Sequence, residues 1–249
     1  MIKKEKEPIT QEDSNEITSS DGKIENSKRD IVVPGEIIAK GEDFLPGEGT
    51  IRDGEEIVAV RYGLLDKSER LLKIIPMKGV YIPRKGNTII GMVTDITLNG
   101  WFVDINSPYN SFLTIKECSA YVPRGRDLSD YYKVGDFLTA KVLALRGKVY
   151  DLTMKESKSL HKISDGLIIV VNPHAVPRII GRGGSMIGMI KEETETNITV
   201  GQNGLIWIKG KEDDMEILAK DAIEFIAKKP FVDGLTESVK EFLEKRKNK

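Results

Sequence analysis

Ile179-Ile180-Gly181-Arg182-Gly183-Gly184-Ser185-Met186-Ile187 decides how the last third of this 249-residue chain is read. Gly181 to Gly184 make a Gly-x-x-Gly loop, with apolar Ile179 and Ile180 before it and Ile187 spaced for a helix face after it. Val176 to Ile180, just beyond Pro173, predicts a short helix. Ser185 to about Glu195 predicts a second, with Ile187, Ile190 and Thr194 on one side. Two familiar phosphate loops are excluded at this point. No Lys-Ser/Thr follows the last glycine, as a Walker A loop requires, and a dinucleotide fingerprint would follow a strand rather than a helix.

Working outward, Gly166 to Val171 predicts a buried strand ahead of the loop. Behind it, Asn197 to Val200 and Leu205 to Lys209 predict a hairpin around Gln202-Asn203-Gly204. Met215 to Ala227 places Leu218, Ala222 and Ile226 at spacing four, an amphipathic helix that Lys228-Lys229-Pro230 should stop. A last helix, about Leu235 to Lys247, carries Leu235, Val239, Phe242 and Leu243 on one face. The order β-α-α-β-β-α around a Gly-x-x-Gly loop resembles a type I KH domain, whose loop clamps about four nucleotides along their backbone. Backbone without side chains can approach a phosphodiester closely, and the following helix turns its N–H groups and positive dipole end toward it. Arg182 adds a charge at the same place. The candidate RNA contacts are therefore Ile180, Gly181, Arg182, Gly183, Gly184 and Ser185. On this reading Gly181→Asp and Gly184→Asp should cost RNA binding and leave the fold intact.

Upstream, the pattern is entirely β. Thr88 to Ile96 and Trp101 to Ile105 predict a hairpin across Asn99-Gly100, a turn pair that tolerates positive φ. Ser111 to Ile115 predicts a third strand, followed by a long loop through Pro123-Arg124-Gly125-Arg126. Phe137 to Leu145 and Val149 to Met154 complete five strands, joined across Arg146-Gly147-Lys148. Five strands with the long connection between the third and fourth fit a small OB-type barrel. Alternation puts Trp101 and Phe102 on opposite faces, so only one can meet RNA. Phe102 is the candidate for base stacking, with Arg124, Arg126, Arg146 and Lys148 as candidate backbone contacts.

Between about Ile31 and Pro83, short apolar runs punctuated by glycine predict a small all-β domain: Ile37-Ile38, Thr50-Ile51, Ile57 to Val60 and Leu71 to Ile75. Residues 1–29 lack an apolar face and predict a disordered tail. The expected division is thus 1–29 tail, 30–83 N-terminal β domain, 84–157 barrel and 158–249 KH domain with its C-terminal helix, a multidomain α+β chain.

Composition narrows function. With 38 Lys and Arg against 39 Asp and Glu, no global basic field draws in nucleic acid, so any electrostatic footprint must be local. One cysteine, Cys118, excludes an internal disulfide and a multi-cysteine zinc site, and two histidines, His161 and His174, leave little for nucleophile or zinc catalysis. Acidic runs such as Glu192-Glu193 and Glu212-Asp213-Asp214 read as solvated helix faces. The expectations are no catalysis, no cofactor, no metal, no membrane and a cytoplasmic location.

Landmarks within the barrel, Gly91 to Asp104, Val134-Gly135-Asp136 and Leu152-Thr153-Met154-Lys155, resemble ribosomal-protein-S-one-type domains, although Thr114 stands where that family usually has histidine and Asn99 where an aromatic is frequent. In that resemblance Phe102 matches the recurring surface aromatic. With Val33-Pro34-Gly35-Glu36, Gly47-Glu48-Gly49-Thr50, Ile75-Pro76 and Tyr81-Ile82-Pro83 ahead of it and a KH domain behind, the chain from about Ile31 resembles the RNA-binding cap subunits of the archaeal exosome, the ribosomal-RNA-processing protein four type. That resemblance implies three cap subunits on a hexameric phosphorolytic ribonuclease ring, with the N-terminal domain docked on the ring and the barrels around its entry pore. It implies single-stranded RNA, ring subunits and other cap subunits as partners, capture of 3′ ends, and no catalysis by the cap itself. The cap type with a cysteine-ligated zinc ribbon does not fit a single cysteine. A free-standing barrel–KH protein of translation or transcription is the alternative. A fragment of a bacterial phosphorolytic enzyme is disfavoured, because there the KH domain precedes the barrel.

Overall fold

The computed structural model describes residues 30–123, 125–228 and 234–247. The predicted tail, Arg124 and the predicted Lys229-Pro230 stop lie outside the described residues.

The N-terminal domain is two small sheets face to face. Strands β1 (Ile31–Val32), β2 (Ile37–Lys40), β3 (Leu45–Pro46), β4 (Thr50–Asp53), β5 (Glu56–Ala59), β6 (Gly63–Ser68) and β7 (Leu71–Pro76) follow in chain order. They sort into β1-β6-β7-β3 and β2-β5-β4. Alternation along β5 and β7 sends Ile57, Ala59, Leu72 and Ile74 inward, where they pack with Val32 and Leu65. The run Gly47 to Thr50 joins the sheets. The buried Thr50 hydroxyl accepts from the Gly47 N–H at 2.8 Å and donates to the Leu72 carbonyl at 2.9 Å. Strand β6 was not among the runs read from the sequence. Its only consecutive apolar pair, Leu64-Leu65, runs directly into Asp66 and Lys67, and the Glu69-Arg70 turn that pairs it with β7 carries no glycine to signal a hairpin.

In the barrel, β8 (Thr88–Thr97), β9 (Gly100–Asp104), β10 (Asn110–Thr114), β11 (Phe137–Arg146) and β12 (Val149–Thr153) stand within about a residue of their predicted bounds. They close in the order β8-β9-β10-β12-β11, with β10 and β12 parallel and β11 returning to β8. Closure leaves no open edge among the five. Trp101 is fully buried, packs edge-on against Tyr132 at 5.1 Å, and donates its indole N–H to the Tyr132 carbonyl at 3.1 Å. A buried indole needs such a partner. The Val134-Gly135-Asp136 turn grips the bulge in β8: Gly135 donates to the Val93 carbonyl and Val93 donates to the Asp136 carbonyl, each at 2.8 Å. A short β13 (Lys162–Ile163) adds to the start of β11, so this stretch just before the KH fold belongs to the barrel sheet.

The last domain has β14 (Leu167–Val170), α1 (Val176–Ile180), α2 (Ser185–Thr194), β15 (Asn197–Val200), β16 (Leu205–Lys209) and α3 (Asp213–Lys228), followed by α4 (Leu235–Lys247). The sheet order β14-β16-β15 is antiparallel throughout. Helices cover one face of it, burying Ile179, Ile190, Ile198, Ile206, Ala222 and Ile226 in one core. Helix α4 closes that core with Leu235, Val239 and Leu243, and Phe242 stacks on Phe225 at 4.8 Å. The three domains touch. The 201–204 loop inserts into the barrel, where Gln202 donates its N–H to the Thr88 carbonyl at 2.8 Å. Ile90, Ile163 and Leu205 bury together beside it. On the other side, Asn172 Nδ2 donates to the Met77 carbonyl at 2.8 Å.

Candidate nucleic-acid interface

The Gly-x-x-Gly loop spans α1 and α2 as a tight bend with three glycines at positive φ. Gly181 stands at φ 75°, ψ 174°, Gly183 at φ 60°, and Gly184 at φ 83° in the left-handed region as the residue that starts α2. The first turn of α2 carries no acidic residue, so nothing on it opposes an anion. Arg182 and Ser185 are exposed, and Ile180 is half-buried. All six KH candidates therefore come together in one bend.

The two outer glycines do different jobs. A Cβ at Gly181 would lie 2.7 Å from Met186 Cβ and 2.8 Å from Met186 N, inside the fold. A Cβ at Gly184 would meet nothing within 4 Å. The expectation that aspartate at Gly181 leaves the fold intact is therefore corrected: that position is glycine because the start of α2 passes against it. Gly183 and Gly184 face open space, where only the backbone conformation disfavours a side chain. The neighbouring 201–204 loop is held by the barrel, with Asn203 buried and Gln202 left exposed.

On the barrel, Phe102 points outward as alternation requires, while Trp101 and Val103 point in. Across the ladder it pairs with Phe112 of β10, the rings edge to face with centroids 5.0 Å apart. Phe112 was missed in the sequence, although the signal is there: Ser111 and Leu113 are buried, and alternation sends Phe112 to the face of Phe102. Phe112 stands in register with Asp151 of β12, and Arg146 caps that carboxylate at 3.0 Å. Arg146 therefore reaches this face as half of an ion pair. Lys148 and Arg126 are exposed on their loops, and Arg124 lies outside the described residues.

Residues 29–78 match the model of the exosome RNA-binding protein RRP4 N-terminal domain, and residues 166–214 match a KH domain model. The exosome complex component Rrp4 of Picrophilus torridus is 40% identical over 219 residues, covering 88% of this chain and 94% of its own. The chain belongs to the Rrp4 family. The Rrp4 of Thermococcus kodakarensis is 39% identical, covering 89% of this chain and 87% of its own. The Rrp4-family fold is matched in a crystal structure given as an exosome complex RNA-binding protein, with a TM-score of 0.62 at 34% identity over 68% of this chain and 98% of that one. The family is non-catalytic. Among the described residues no group of His, Cys, Asp and Glu side chains is placed to hold a metal ion, and no helix is long and apolar enough to cross a membrane.

Proposed function

We propose that this chain is a cap subunit of the exosome that captures single-stranded RNA 3′ ends and passes them to a phosphorolytic ribonuclease ring. The observation that carries this reading is the loop from Gly181 to Ser185, open to solvent at Gly183 and Gly184 and ending on a helix start free of acidic side chains. The 201–204 loop bonds the KH domain to the barrel, and on this reading the KH loop and the Phe102–Phe112 pair serve one RNA strand together. Bases stack on aromatics while the loop holds phosphates, a division that a near-neutral chain can use.

The ring-docking role falls to residues 30–83. Across the outer face of β2-β5-β4, Ile37, Val58 and Ile51 stand in one cross-strand row, with Ile37 and Ile51 exposed. An apolar row on a domain this small suits a protein interface. The same reading supplies ring subunits and further cap subunits as partners, and a cytoplasmic site of action.

The test is co-purification of the untagged full chain with phosphorolytic ring subunits after nuclease treatment. A stable complex of three caps to six ring subunits is expected. RNA binding without any ring complex would sink the cap assignment and leave a free-standing RNA-binding protein.

A further inference from the structure

A cleft of about 1050 Å³ opens where the N-terminal domain, the segment 77–87 and the KH domain meet. Its size is at the top of the roughly 300–1,000 Å³ found for ligand clefts, so it has room for more than a single small group. Ile180 and Gly181 form part of its wall, which makes it continuous with the KH loop.

The charge lining this cleft is one-sided. Arg61, Lys73, Lys78 and Arg84 face it against a single carboxylate, Glu48. Glu48 is already tied to Arg84 at 3.3 Å, and Lys73 is tied to Asp66 at 3.1 Å. Among the described residues Arg61 and Lys78, both exposed, form no ion pair. His174 lines the same space, and burial together with the Arg61 charge holds its imidazole below the usual histidine range. Tyr62, partly exposed, offers a ring, and Val80 and Ile82 offer apolar surface beside the cations.

We propose that this cleft is a second RNA-binding segment, carrying a strand onward from the KH loop between the KH and N-terminal domains, with Arg61 and Lys78 on its phosphates and Tyr62 against a base. It rests on the RNA-binding reading above. An acidic protein segment would also answer to the cations. RNA is favoured because the phosphate-clamping loop is part of the wall and because an aromatic ring and aliphatic faces alternate with the charges, the mixture that holds single strands.

The test is binding of four- and ten-nucleotide oligoadenylates to the full chain, the longer by fluorescence anisotropy and the shorter by amide shifts of Gly181 to Ser185. Arg61→Ala with Lys78→Ala should weaken the ten-nucleotide strand by about tenfold and lower its salt slope by about 1.4, two contacts at roughly 0.7 each on single strands. The four-nucleotide strand, filling only the KH loop, should bind as before. Both side chains are exposed, so melting of the variant should match the wild type. Unchanged binding of the longer strand, or equal weakening of both, overturns the cleft and leaves RNA binding at the loop standing. A wild-type chain that binds neither strand defeats the RNA reading itself. Binding of an oligoglutamate peptide that needs Arg61 and Lys78, beside unchanged RNA binding, reassigns the cleft to an acidic protein partner.

Discussion

The side-chain amide of Asn203 meets both backbone groups of Ile90, a residue 113 positions away: its Oδ1 accepts from the Ile90 N–H at 3.3 Å and its Nδ2 donates to the Ile90 carbonyl at 2.6 Å. The same Nδ2 donates to the Ile105 carbonyl at 2.9 Å. The ladder between β8 and β9 begins at Met92 and Asp104, so Ile90 and Ile105 lie just past its end. Asn203 fills that gap as a substitute for the missing strand, and in doing so fixes the KH domain on the barrel. Asn203→Leu removes all three bonds and leaves the Ile90 and Ile105 groups buried and unpaired. A loss of about 2–3 kcal/mol is expected, since each unsatisfied buried group costs about 1–3 kcal/mol and part of the cost relaxes. Urea unfolding checks it, and a variant as stable as the wild type would mean the plug is ornamental.

The KH loop separates binding from folding. Arg182→Asp with Gly183→Asp puts two negative charges where phosphates are expected, at positions facing solvent. Aspartate tolerates the left-handed backbone of Gly183 better than most residues. RNA affinity should fall by more than about tenfold at low salt, as both charge and close approach are lost. Melting should change little. Gly181→Asp should instead lower the melting temperature, because its side chain collides with Met186. Equal effects of the two changes on stability would refute the distinction.

Phe102→Ala and Phe112→Ala should each weaken binding of oligoadenylate. Stacking on an aromatic is worth about 1–3 kcal/mol per base, or roughly five- to 150-fold. The rings touch, so the double variant should lose less than the sum. Wild-type affinity in the double variant would assign both rings to packing alone.

Acid should remove a specific contribution at Asp136. Burial alone would raise its carboxyl, but hydrogen bonds from Lys162 Nζ and the Lys133 amide, with both ammonium charges, outweigh burial and hold it below the usual aspartate range. A carboxylate lowered in the folded state stabilises above its unfolded value, about 3.9, and that contribution fades as pH falls through the folded value. Melting of the wild type against Asp136→Asn should therefore differ most at pH 6, and the gap should narrow as pH falls below the usual aspartate range. A gap that does not narrow in acid would point to shape rather than charge.

Thr50→Val keeps the volume and removes the hydroxyl that links Gly47 to Leu72. Loss of these buried bonds should cost about 1–2 kcal/mol, read as a lower midpoint in urea. An unaltered midpoint would leave the two sheets held by the Ile57–Leu72–Ile74 core alone.

Much of this architecture follows from local pattern. The Gly-x-x-Gly bend between two short helices, the Asn-Gly hairpin and the five barrel strands stand where period and turn chemistry place them, because each needs only residues a few positions apart. The inward Trp101 and outward Phe102 follow from the two-residue period of a strand in the same way. Strand pairing and tertiary packing decided which groups meet. Phe112 became part of the aromatic face only when β10 paired with β9, and Arg146 became half of an ion pair only when the turn brought Asp151 under it. Gly181 looked like a residue freed for a ligand and proved to be one required by its own helix. Asn203, read as a polar turn residue, is buried at the joint between domains, and Arg61 meets the KH wall across a cleft that no run of sequence outlines. The reason is physical: periodicity records which face of an element is buried, whereas the partner that buries it is chosen by packing of the whole chain.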